Sequence, residues 1–437
     1  MEPLKIGLLG WGTVGCGVIK ILAENRELIK NRLGIDIVLK RVADIDLDRE
    51  RPVEVGRDVL TTDVDDVLED PEIDIVVELI GGIEPAMSFI KKALEHGKHV
   101  VTANKALLAQ HGNELFEFAR RKERIIAYEA SVAGGIPFIK SLREGLAANR
   151  ITTVFGILNG TANFILTRMK ESGLSFHEAL KEAQDRGYAE ADPTLDIEGI
   201  DTAHKLAITS AIAFNTPIAF DKIYVEGISA LDPLDIQFGG EFGYSLKLLA
   251  IGRATEEGLE LRVHPTFIPS DHVLAGVRGA YNAVHIHGDA VGHVMLYGLG
   301  AGMMPTGSAV VADIMDLARD ILNGVHVRLP YLGSYELKQL PVKPMEKVIT
   351  TYYFRFSAVD QPGVLSKISG ILGKNNISIA AVIQKGRRVG GAVPIVMLTH
   401  EALEESVQKA LDEIDKLDVV KAKTQIIRIE NLSTDRK

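Results

Sequence analysis

The sequence has little cysteine, no long apolar run and no excess of positive charge. Cys16 is the single cysteine among 437 residues, so no disulfide can form within the chain and stability has to come from packing, as in a reducing compartment. No stretch approaches the roughly 20 consecutive apolar residues that a membrane-spanning helix needs. The formal net charge of -10 disfavours a nucleic-acid partner.

The first residues also lack the features of an export signal. They contain acidic Glu2 and then glycines, without a basic segment, a long apolar core or a cleavage site. We therefore expect a cytoplasmic protein with neither a membrane nor a nucleic acid as its partner. Hydrophobic residues make up 46% and charged residues 25%, the balance of a globular protein, and the length predicts about three domains.

Short apolar runs alternate with helical patterns over residues 1–135. Such runs occupy residues 4–9, 35–43 and 73–80, and the first is followed by an apolar-periodic stretch from Val14 to Leu28 that predicts one helix. Near-continuous apolar strands joined by helices are typical of a parallel sheet covered on both faces. We predict an α/β fold that begins with a doubly wound domain.

The pattern changes after residue 135. Residues 136–300 mix strands with long helices, predicted at Ser175–Arg186 and Ile200–Phe214, which indicates a mixed α+β domain. A glycine-rich segment that follows predicts another apolar helix, with Thr306 or Ser308 near its N-terminus.

The C-terminal part is predicted to be a separate module. Residues 326–348 contain three prolines and few periodic positions, which is typical of a linker. Residues 349–431 then follow the order βαββαβ, which predicts a small ferredoxin-like domain.

Three glycines follow the first apolar run. Gly10, Gly12 and Gly15 form the pattern G-x-G-x-x-G between a predicted strand and a predicted helix. Glycine permits a tight turn there and lets backbone N–H groups approach a pyrophosphate at the helix N-terminus. The context favours a Rossmann dinucleotide site over an ordinary glycine-rich turn.

The cofactor is either NAD or NADP. Asp44 ends the second predicted strand, where a carboxylate can bind the adenosine ribose and favours NAD. Arg49 and Arg51 follow it and could receive the additional phosphate of NADP. The alternative is that all three are solvated loop charges.

The segment AQDRGYAEADPTLDIEGIDTAHK, at residues 183–205, crowds carboxylates ahead of one lysine. Asp201 and Lys205 stand four residues apart on a predicted helix, hence on one face, and an exposed pair of this kind contributes only ~0.2–0.5 kcal/mol. Lysine is also a general acid or base, which oxidation of an alcohol needs to accept the hydroxyl proton. The spacing alone leaves both interpretations open.

The same segment resembles the homoserine dehydrogenase signature A-x(3)-G-Y-x-x-x-D-P-x-x-D-I-x-G-x-D-x(3)-K at every fixed position. Further stretches similar to this family are GLLGWGTVG, ELIGG, VVTANKALLA, YEASVAGGIP and GILNGTANFILTRM. The resemblance covers residues 4 to about 325, and because no aspartate-kinase domain precedes it, we expect the monofunctional form. It implies an NAD(P)-dependent oxidoreductase that interconverts L-homoserine and L-aspartate 4-semialdehyde in threonine, methionine and isoleucine biosynthesis.

The resemblance also implies roles for individual residues. Lys205 would be the proton donor and acceptor, and Asp201 would order the proton path and belong to the substrate site. Glu190 and Asp196 would hold the homoserine amino group, because a buried ammonium has to be paired with carboxylates. Lys105 would bind the substrate carboxylate or the nicotinamide end, unless it is a solvent-exposed lysine at a helix start. The residues expected to line the cofactor are Gly10, Gly12, Thr13, Val14, Gly15, Asp44, Thr102, Lys105, Gly187 and Gly302.

A monovalent-cation site is implied by resemblance as well. Glu129, Val132, Gly134 and Ile136 are similar to the family's site for sodium or potassium, which is made of one carboxylate and backbone carbonyls. The alternative is that these residues form a glycine-rich hinge.

The C-terminal module resembles the ACT domain, a family of amino-acid sensors. The resemblance rests on the loop Asp360-Gln361-Pro362-Gly363-Val364-Leu365, whose glycine opens a helix with N–H groups able to bind a carboxylate. It implies an effector site made of Asp360, Pro362, Gly363, Val364 and Leu365, with L-threonine as the expected effector. The alternative is a dimerisation module whose ligand site is lost.

Two rival functions remain at this point. A Rossmann dehydrogenase for a related amino-acid semialdehyde would differ in its activity on homoserine. A non-catalytic amino-acid sensor on the same fold would bind threonine without changing nicotinamide absorbance. For the enzyme we expect a homodimer or homotetramer, because the middle and sensor domains of such enzymes usually pair.

Overall fold

The computed structural model describes residues 2–325, 327–385 and 391–432. The chain divides into two compact units that alternate along the sequence. The first comprises Met1–Gly160, Asp201–Asp221 and Tyr281–Leu340, and the second comprises Thr161–Ile200, Lys222–Ala280 and Pro341–Lys437. Each unit therefore collects segments that are distant in sequence.

Strands and helices alternate up to Ala127, as the apolar runs predict. The strands are β1 (Leu4–Leu9), β2 (Ile37–Ala43), β3 (Leu60–Thr61), β4 (Ile75–Glu78), β5 (His99–Thr102), β6 (Ile126–Ala127), β7 (Ile151–Ile157), β8 (Tyr224–Val225), β9 (Tyr244–Thr255), β10 (Gly258–Pro269), β11 (Tyr281–Gly288), β12 (Gly292–Leu299), β13 (Ile349–Val359), β14 (Ile379–Gln384), β15 (Ala392–Thr399), β16 (Ala402–Leu403) and β17 (Val420–Ile429). The helices are α1 (Thr13–Glu24), α2 (Arg26–Leu33), α3 (Asp65–Leu68), α4 (Ala86–Glu95), α5 (Lys105–Arg121), α6 (Phe138–Lys140), α7 (Gly160–Ser172), α8 (Phe176–Asp185), α9 (Thr194–Ile197), α10 (Ile200–Phe214), α11 (Pro233–Glu241), α12 (Met303–Leu322), α13 (Val364–Lys374) and α14 (Glu404–Ile414).

A parallel sheet forms the core of the first unit. Its strand order is β3-β2-β1-β4-β5-β6, and each neighbouring pair is parallel. The inner strands are apolar on both faces, and Ile75, Val76 and Val77 of β4 have no exposed surface. The strand order reverses beside β1, and sheets of this kind bind ligands at that reversal, beyond the carboxyl ends of the strands. This confirms the predicted doubly wound domain.

The first helix is shorter than predicted. We expected one helix from Val14 to Leu28, but α1 ends at Glu24 and α2 begins only after Asn25. Asparagine is a poor helix former because its side chain competes for backbone hydrogen bonds, and Leu28 is 48% exposed, so it adds no buried contact that would extend α1.

Helix α12 returns to the first unit and packs against α1, as expected. At their contact, a Cβ on Gly17 of α1 would lie 1.9 Å from the carbonyl oxygen of Met303, and a Cβ on Gly307 would lie 2.8 Å from the backbone of Gly17. The two helices approach this closely only because both positions are glycine.

The start of α12 differs from the prediction. The helix begins at Met303, about one turn before Thr306 and Ser308. Gly302 makes the turn into it with a φ of +127°, and Pro305 is tolerated in the first helical turn because its missing N–H has no intrahelical partner there. Backbone geometry, not a side-chain cap, therefore sets this helix start.

Helix α10 begins and ends where the sequence predicts. Every residue from Asp201 to Phe214 is buried, so the helix has no solvent face. A helix buried all round has to pair the charged side chains that it carries. In the same unit, β11 pairs antiparallel with both β7 and β12.

The second unit contains a sheet in the order β9-β10-β17-β13-β15-β14, with β8 beside β10. Strands β13, β14, β15 and β17 with α13 and α14 have the predicted βαββαβ order and enclose an apolar core that includes Tyr352, Phe354 and Ile368. Helix α8 follows Ser175, which forms a capping box with Glu178, so the helix predicted from Ser175 is confirmed to within one residue.

Of the helices in the described residues, none has both the length and the apolar character to cross a membrane. The domain boundaries expected from the sequence stay predictions. They are 1–135 with 300–325 for the nucleotide domain, 136–300 for the middle domain, 326–348 for the linker and 349–431 for the C-terminal module.

Gly17→Ala is expected to destabilise the chain, because the new Cβ would overlap the carbonyl oxygen of Met303 and push α12 away from α1. The expected loss in the free energy of unfolding is about 1–3 kcal/mol, the usual cost of overpacking a core. Urea unfolding followed by circular dichroism measures this loss.

Gly370→Ala is the matched control, because Gly370 also lies inside a helix, α13, and no described atom beyond its chain neighbours and its own helix backbone lies within 4 Å of its Cβ position. This variant should keep or gain about 0.5–1 kcal/mol through the higher helix propensity of alanine. Equal stability of Gly17→Ala and the unsubstituted chain would contradict the close helix contact.

Candidate active site

The glycine turn between β1 and α1 presents an uncapped helix N-terminus. In the described part of the chain, no side chain caps α1 at Gly12, and no atom lies within 4 Å of a Cβ position on that residue. Gly10 has a φ of +97°, and a Cβ on Gly15 would lie 2.4 Å from the Gly10 carbonyl oxygen. The backbone N–H groups at Thr13 and Val14 open this helix, so the turn fits the pyrophosphate of a dinucleotide.

Asp44 lies directly after β2 and is already bound by its own chain. Its carboxylate accepts hydrogen bonds from the backbone N–H groups of Trp11, at 2.6 Å, and Asp46, at 3.0 Å. The guanidinium of Arg51 pairs with it at 3.3 Å and also lies 4.3 Å from the centre of the Trp11 ring. The arginine therefore compensates the charge of the carboxylate beside the glycine turn.

Lys205 is held by two oxygen acceptors inside the first unit. Its Nζ donates to Oδ2 of Asp201 at 2.7 Å, one turn earlier on α10, and to the backbone carbonyl of Leu158 at 2.6 Å. Asn159 donates its side-chain N–H to the same Asp201 oxygen at 2.8 Å. The side chains of Lys205 and Asp201 are only 10% and 9% exposed, so this is not the surface ion pair that the spacing alone allowed.

A second lysine approaches the same carboxylate from α5. Nζ of Lys105 lies 3.2 Å from Oδ1 of Asp201, and its side chain is 40% exposed, in contrast to Lys205. Lys105 is the first residue of α5, directly after Asn104, which caps that helix. In the same segment, the Thr102 hydroxyl donates to Glu78 at 2.6 Å. Two ammonium groups and one carboxylate thus meet at one place, and Lys105 is the more accessible of the two lysines.

The electrostatics favour a charged carboxylate at Asp201. Burial alone would raise its pKa, but the ammonium groups of Lys205 and Lys105 and the hydrogen bonds to it outweigh burial and hold the pKa of Asp201 well below its usual range. The ring of the neighbouring His204 contacts that of Phe220 with a centroid distance of 4.6 Å, and burial lowers the pKa of its imidazole. The imidazole is therefore neutral at pH 7, and Asp201 supplies the negative charge.

Glu129, the one carboxylate of the expected cation site, is buried, and the site itself stays a prediction. The carboxylate of Glu129 accepts the N–H groups of Ile139 at 2.8 Å and Lys140 at 2.7 Å. Burial raises the pKa of Glu129 to about 7 despite these bonds, and the pKa of Asp313, which accepts the Glu129 N–H, is also raised by burial and by the Glu129 charge. A monovalent cation at this place would offset buried negative charge, so the donor set is chemically suitable for one.

Val132, Gly134 and Ile136 follow Glu129 in a tight turn. Gly134 has a φ of +45°, and a Cβ on it would lie 2.3 Å from the Gly300 carbonyl oxygen. Within residues 2–325, 327–385 and 391–432, no three His, Cys, Asp or Glu side chains converge on a metal position. Any ion held here would have to use backbone carbonyls beside Glu129.

Sequence reasoning placed some site residues and missed others. Of the predicted catalytic and substrate residues, Lys205, Asp201 and Lys105 come together, whereas Glu190 and Asp196 belong to the second unit and their roles stay predictions. Among the predicted cofactor residues, Gly302 precedes α12 in the first unit and Gly187 belongs to the second.

Asn159 and the Leu158 carbonyl had not been assigned a role. A carbonyl gives no signal in the sequence, and Asn159 lies 42 residues before the aspartate that it binds. Asp313 likewise had no predicted role, and it is one of three aspartates in α12, so its sequence position alone does not single it out.

The C-terminal loop after β13 combines a helix start with a buried carboxylate. Gly363 enters α13 with a φ of +88°, and within the described residues no side chain caps that helix. Oδ2 of Asp360 is buried and has no hydrogen-bond partner among the described residues. Val364 is buried, whereas Leu365 is 40% exposed. An amino acid could thus meet N–H donors for its carboxylate and an acceptor for its ammonium.

Family models match most of the chain. The homoserine dehydrogenase model matches residues 137–315, and the model of the homoserine dehydrogenase NAD binding domain matches residues 10–129. The ACT domain model matches residues 352–419. These matches confirm the predicted resemblance for the N-terminal, middle and C-terminal parts of the sequence.

Individual relatives agree with these matches. A homoserine dehydrogenase from Pseudomonas aeruginosa is 48% identical over 437 residues, which cover 99% of this chain and 100% of that protein. The solved structure of a homoserine dehydrogenase from Thiobacillus denitrificans has a TM-score of 0.94 at 51% identity and covers 99% of both chains. A hyperthermophilic archaeal homoserine dehydrogenase in complex with NADPH has a TM-score of 0.61 at 28% identity, over 72% of this chain and 97% of its own.

Asp201→Asn is expected to lower the free energy of unfolding by about 3 kcal/mol at pH 7, because the buried Lys205 would lose its carboxylate partner. The double variant Asp201→Asn/Lys205→Met should recover much of this loss, since no unpaired buried ammonium remains. Urea unfolding measures both. If the double variant is as unstable as the single one, the ion pair is not the cause.

The same experiment has an expected pH dependence. The folded pKa of Asp201 is lowered, so its stabilising contribution is fully present above the unfolded pKa of about 4 and is lost as the pH falls toward the folded pKa. The gap in stability between the unsubstituted chain and Asp201→Asn should therefore shrink below pH 4.

Proposed function

Because the chain belongs to the homoserine dehydrogenase family of NAD(P)-dependent oxidoreductases, we propose that Lys205 moves the proton when L-homoserine and L-aspartate 4-semialdehyde are interconverted. The observation that carries this proposal is the position of the Lys205 ammonium. It is buried and bound to Asp201 and the Leu158 carbonyl. An ammonium has three N–H donors, so one remains for the substrate oxygen.

Asp201 and Lys105 support this proton transfer in different ways. Asp201 keeps Lys205 in place and compensates its charge, and Asn159 fixes the carboxylate in turn. In the reduction, Lys205 gives a proton to the carbonyl oxygen of the semialdehyde, and in the oxidation it receives the proton of the homoserine hydroxyl. The more exposed Lys105 is suited to bind the substrate carboxylate. Glu190 and Asp196 are proposed, from the family resemblance, to hold the substrate amino group.

The nicotinamide ring, when bound, supplies or accepts the hydride. The residues proposed to hold the cofactor are Gly10, Gly12, Thr13, Val14, Gly15, Asp44, Thr102, Lys105, Gly187 and Gly302. Arg51 pairs with Asp44, and Arg49 lies close by in sequence, so the carboxylate is compensated and a second positive charge is available. This arrangement favours the 2′-phosphate of NADP over the free ribose of NAD.

Glu129, with backbone carbonyls of Val132, Gly134 and Ile136, is proposed to bind Na+ or K+. The support is that burial raises the pKa values of Glu129 and Asp313, and a bound cation would stabilise the ionised form of these neighbouring acids. We further propose a cytoplasmic homo-oligomer. Strand β12 is the edge strand of its sheet and carries the exposed side chains of Tyr297 and Leu299. An exposed apolar edge of this kind is typical of a subunit contact.

Lys205→Met tests the catalytic role. The substitution keeps the length of the side chain but removes the proton donor, so kcat should fall by about 10²- to 10⁴-fold. Initial rates of nicotinamide absorbance change with L-homoserine, with NADP+ and with NAD+, measure this loss and the nucleotide preference. Near-normal activity would remove Lys205 from the mechanism.

Two controls accompany this variant. Lys30→Met replaces an exposed lysine of α2 and should leave kcat unchanged. Trp11 is the single tryptophan and lies in the glycine turn, so its fluorescence should report unaltered nucleotide binding in Lys205→Met. Loss of that binding would indicate misfolding instead of a lost proton donor.

The ACT domain is proposed to bind L-threonine as a feedback inhibitor, with its carboxylate at the N–H groups of Gly363, Val364 and Leu365 after Pro362 and its ammonium at Asp360. Asp360→Asn should raise the threonine concentration for half-inhibition by about tenfold or more, because a charge-assisted hydrogen bond is lost. The kcat without threonine should stay unchanged.

Asp412→Asn is the control for this variant, because Asp412 is an exposed aspartate on α14 of the same module. It should be inhibited like the unsubstituted chain. Unchanged inhibition in Asp360→Asn would exclude this carboxylate from the effector site.

A further inference from the structure

A cavity of about 170 Å³ lies in the second unit, and none of its lining residues belongs to the proposed active, cation or effector sites. Its walls come from the last turns of α7, the first residues of β9 and the loop that precedes β11. The polar residues that line it are Thr167, Lys170, Glu171, Ser245, Lys247 and Arg278. A single water needs only about 10–15 Å³ of such space, so the cavity has room for a small ligand.

Lys247 forms the base of this cavity and has no acidic partner there. The residue is 5% exposed, and its Nζ donates to Oδ1 of Asn163 at 3.2 Å and to the carbonyl of Val277. Both acceptors are neutral, and among the described residues no carboxylate lies within ion-pair distance of this ammonium. A buried charge is normally paired, because leaving it without a counter-charge is costly.

Two further cations stand at the rim of the cavity. Lys170 donates to the hydroxyl of Ser245 at 2.9 Å, and in the described residues it has no ion pair. Arg278 pairs with Glu171 at 3.3 Å, with side chains that are 71% and 41% exposed. Three cations and one carboxylate leave an excess of two positive charges around the cavity.

We propose that this cavity binds a small phosphoryl dianion, either inorganic phosphate or the phosphate group of a small metabolite. A phosphate carries a charge of about -1.5 to -2 at pH 7 and has at least three strong acceptor oxygens. Lys247 meets it from the buried side, and Lys170 and Arg278 meet it from the rim. A monocarboxylate would compensate only half of the excess charge. No part of the proposed dehydrogenase reaction uses these residues.

The electrostatic surroundings of the buried lysine are consistent with this assignment. Burial, together with the positive charges of Lys170 and Arg278, lowers the pKa of Lys247 to about 8. A bound dianion would offset both effects and keep the ammonium charged.

Titration calorimetry of the full chain with inorganic phosphate tests the proposal. The protein is first saturated with NADP+, so that the glycine turn is filled, and ionic strength is held constant with potassium chloride. We expect one phosphate site per chain with a dissociation constant below about 1 mM. The variant Lys170→Ala/Arg278→Ala should weaken binding by about tenfold or more, since two charge-assisted contacts are removed from exposed positions.

Lys247→Met is the second variant, for the base of the cavity, and it should weaken binding at least as much as the rim variant. Lys181→Ala, which removes an exposed lysine of α8, is the matched control and should bind phosphate like the unsubstituted chain. If Lys247→Met does not fold, the rim variant still tests phosphate binding, because its substituted side chains are exposed and their removal should not disturb folding.

Two further ligands test the source of the phosphate and the chemical class of the anion. Equal or tighter binding of O-phospho-L-serine would support a phosphorylated metabolite, and binding of inorganic phosphate alone would support the free ion. Equally tight binding of succinate would overturn the phosphoryl assignment. The proposal also fails if phosphate does not bind, or if it binds with the same affinity after both the rim and the base substitutions.

Discussion

One buried carboxylate determines how the candidate active site is held together. Asp201 binds Lys205 and Asn159 through one oxygen and Lys105 through the other. These partners come from α10, from the connection between β7 and α7 and from the start of α5, so a single side chain fixes three distant segments relative to each other. Because burial makes each charge costly on its own, the carboxylate and the lysine beside it are stable only as a set. The placement of the proton donor is thus a property of the folded unit and not of one flexible loop.

Local patterns in the sequence predicted the architecture well wherever a single physical rule dominates. The bounds of α10 follow from its continuous apolar periodicity, and the glycine turn follows from its position between a strand and a helix. The prediction was wrong where a backbone detail decides the outcome. The break of the first helix at Asn25 and the start of α12 at Met303 depend on a local conformation and on Gly302, which propensities describe poorly.

The site itself was only partly predictable, for a different reason. The spacing of Lys205 and Asp201 on α10 predicted that they could pair. It indicated neither that the pair is buried nor that Asn159 binds the same carboxylate. Asn159 and the Leu158 carbonyl meet this pair only through the tertiary fold, and a backbone acceptor has no side-chain signature. Arg51 is a similar case, because neither its ion pair with Asp44 nor its contact with the Trp11 ring follows from its position in the sequence. Family resemblance indicated the chemical role of each residue, whereas the neighbouring charges and hydrogen-bond partners became known only from the structure.

The ACT domain is built into the second unit by more than its linker. Strand β17 pairs with β13 of its own domain on one side and with β10 on the other. Arg428 of β17 is buried and binds both Glu404 and Glu226, and Glu430 binds Arg262 of β10. Separating one such buried pair costs about 3–5 kcal/mol, so a shift of β17 against β10 is strongly opposed. An effector that moved β13 would therefore have to move β10 with it, which makes the shared strand the physical connection between the sensor and the middle part of the chain.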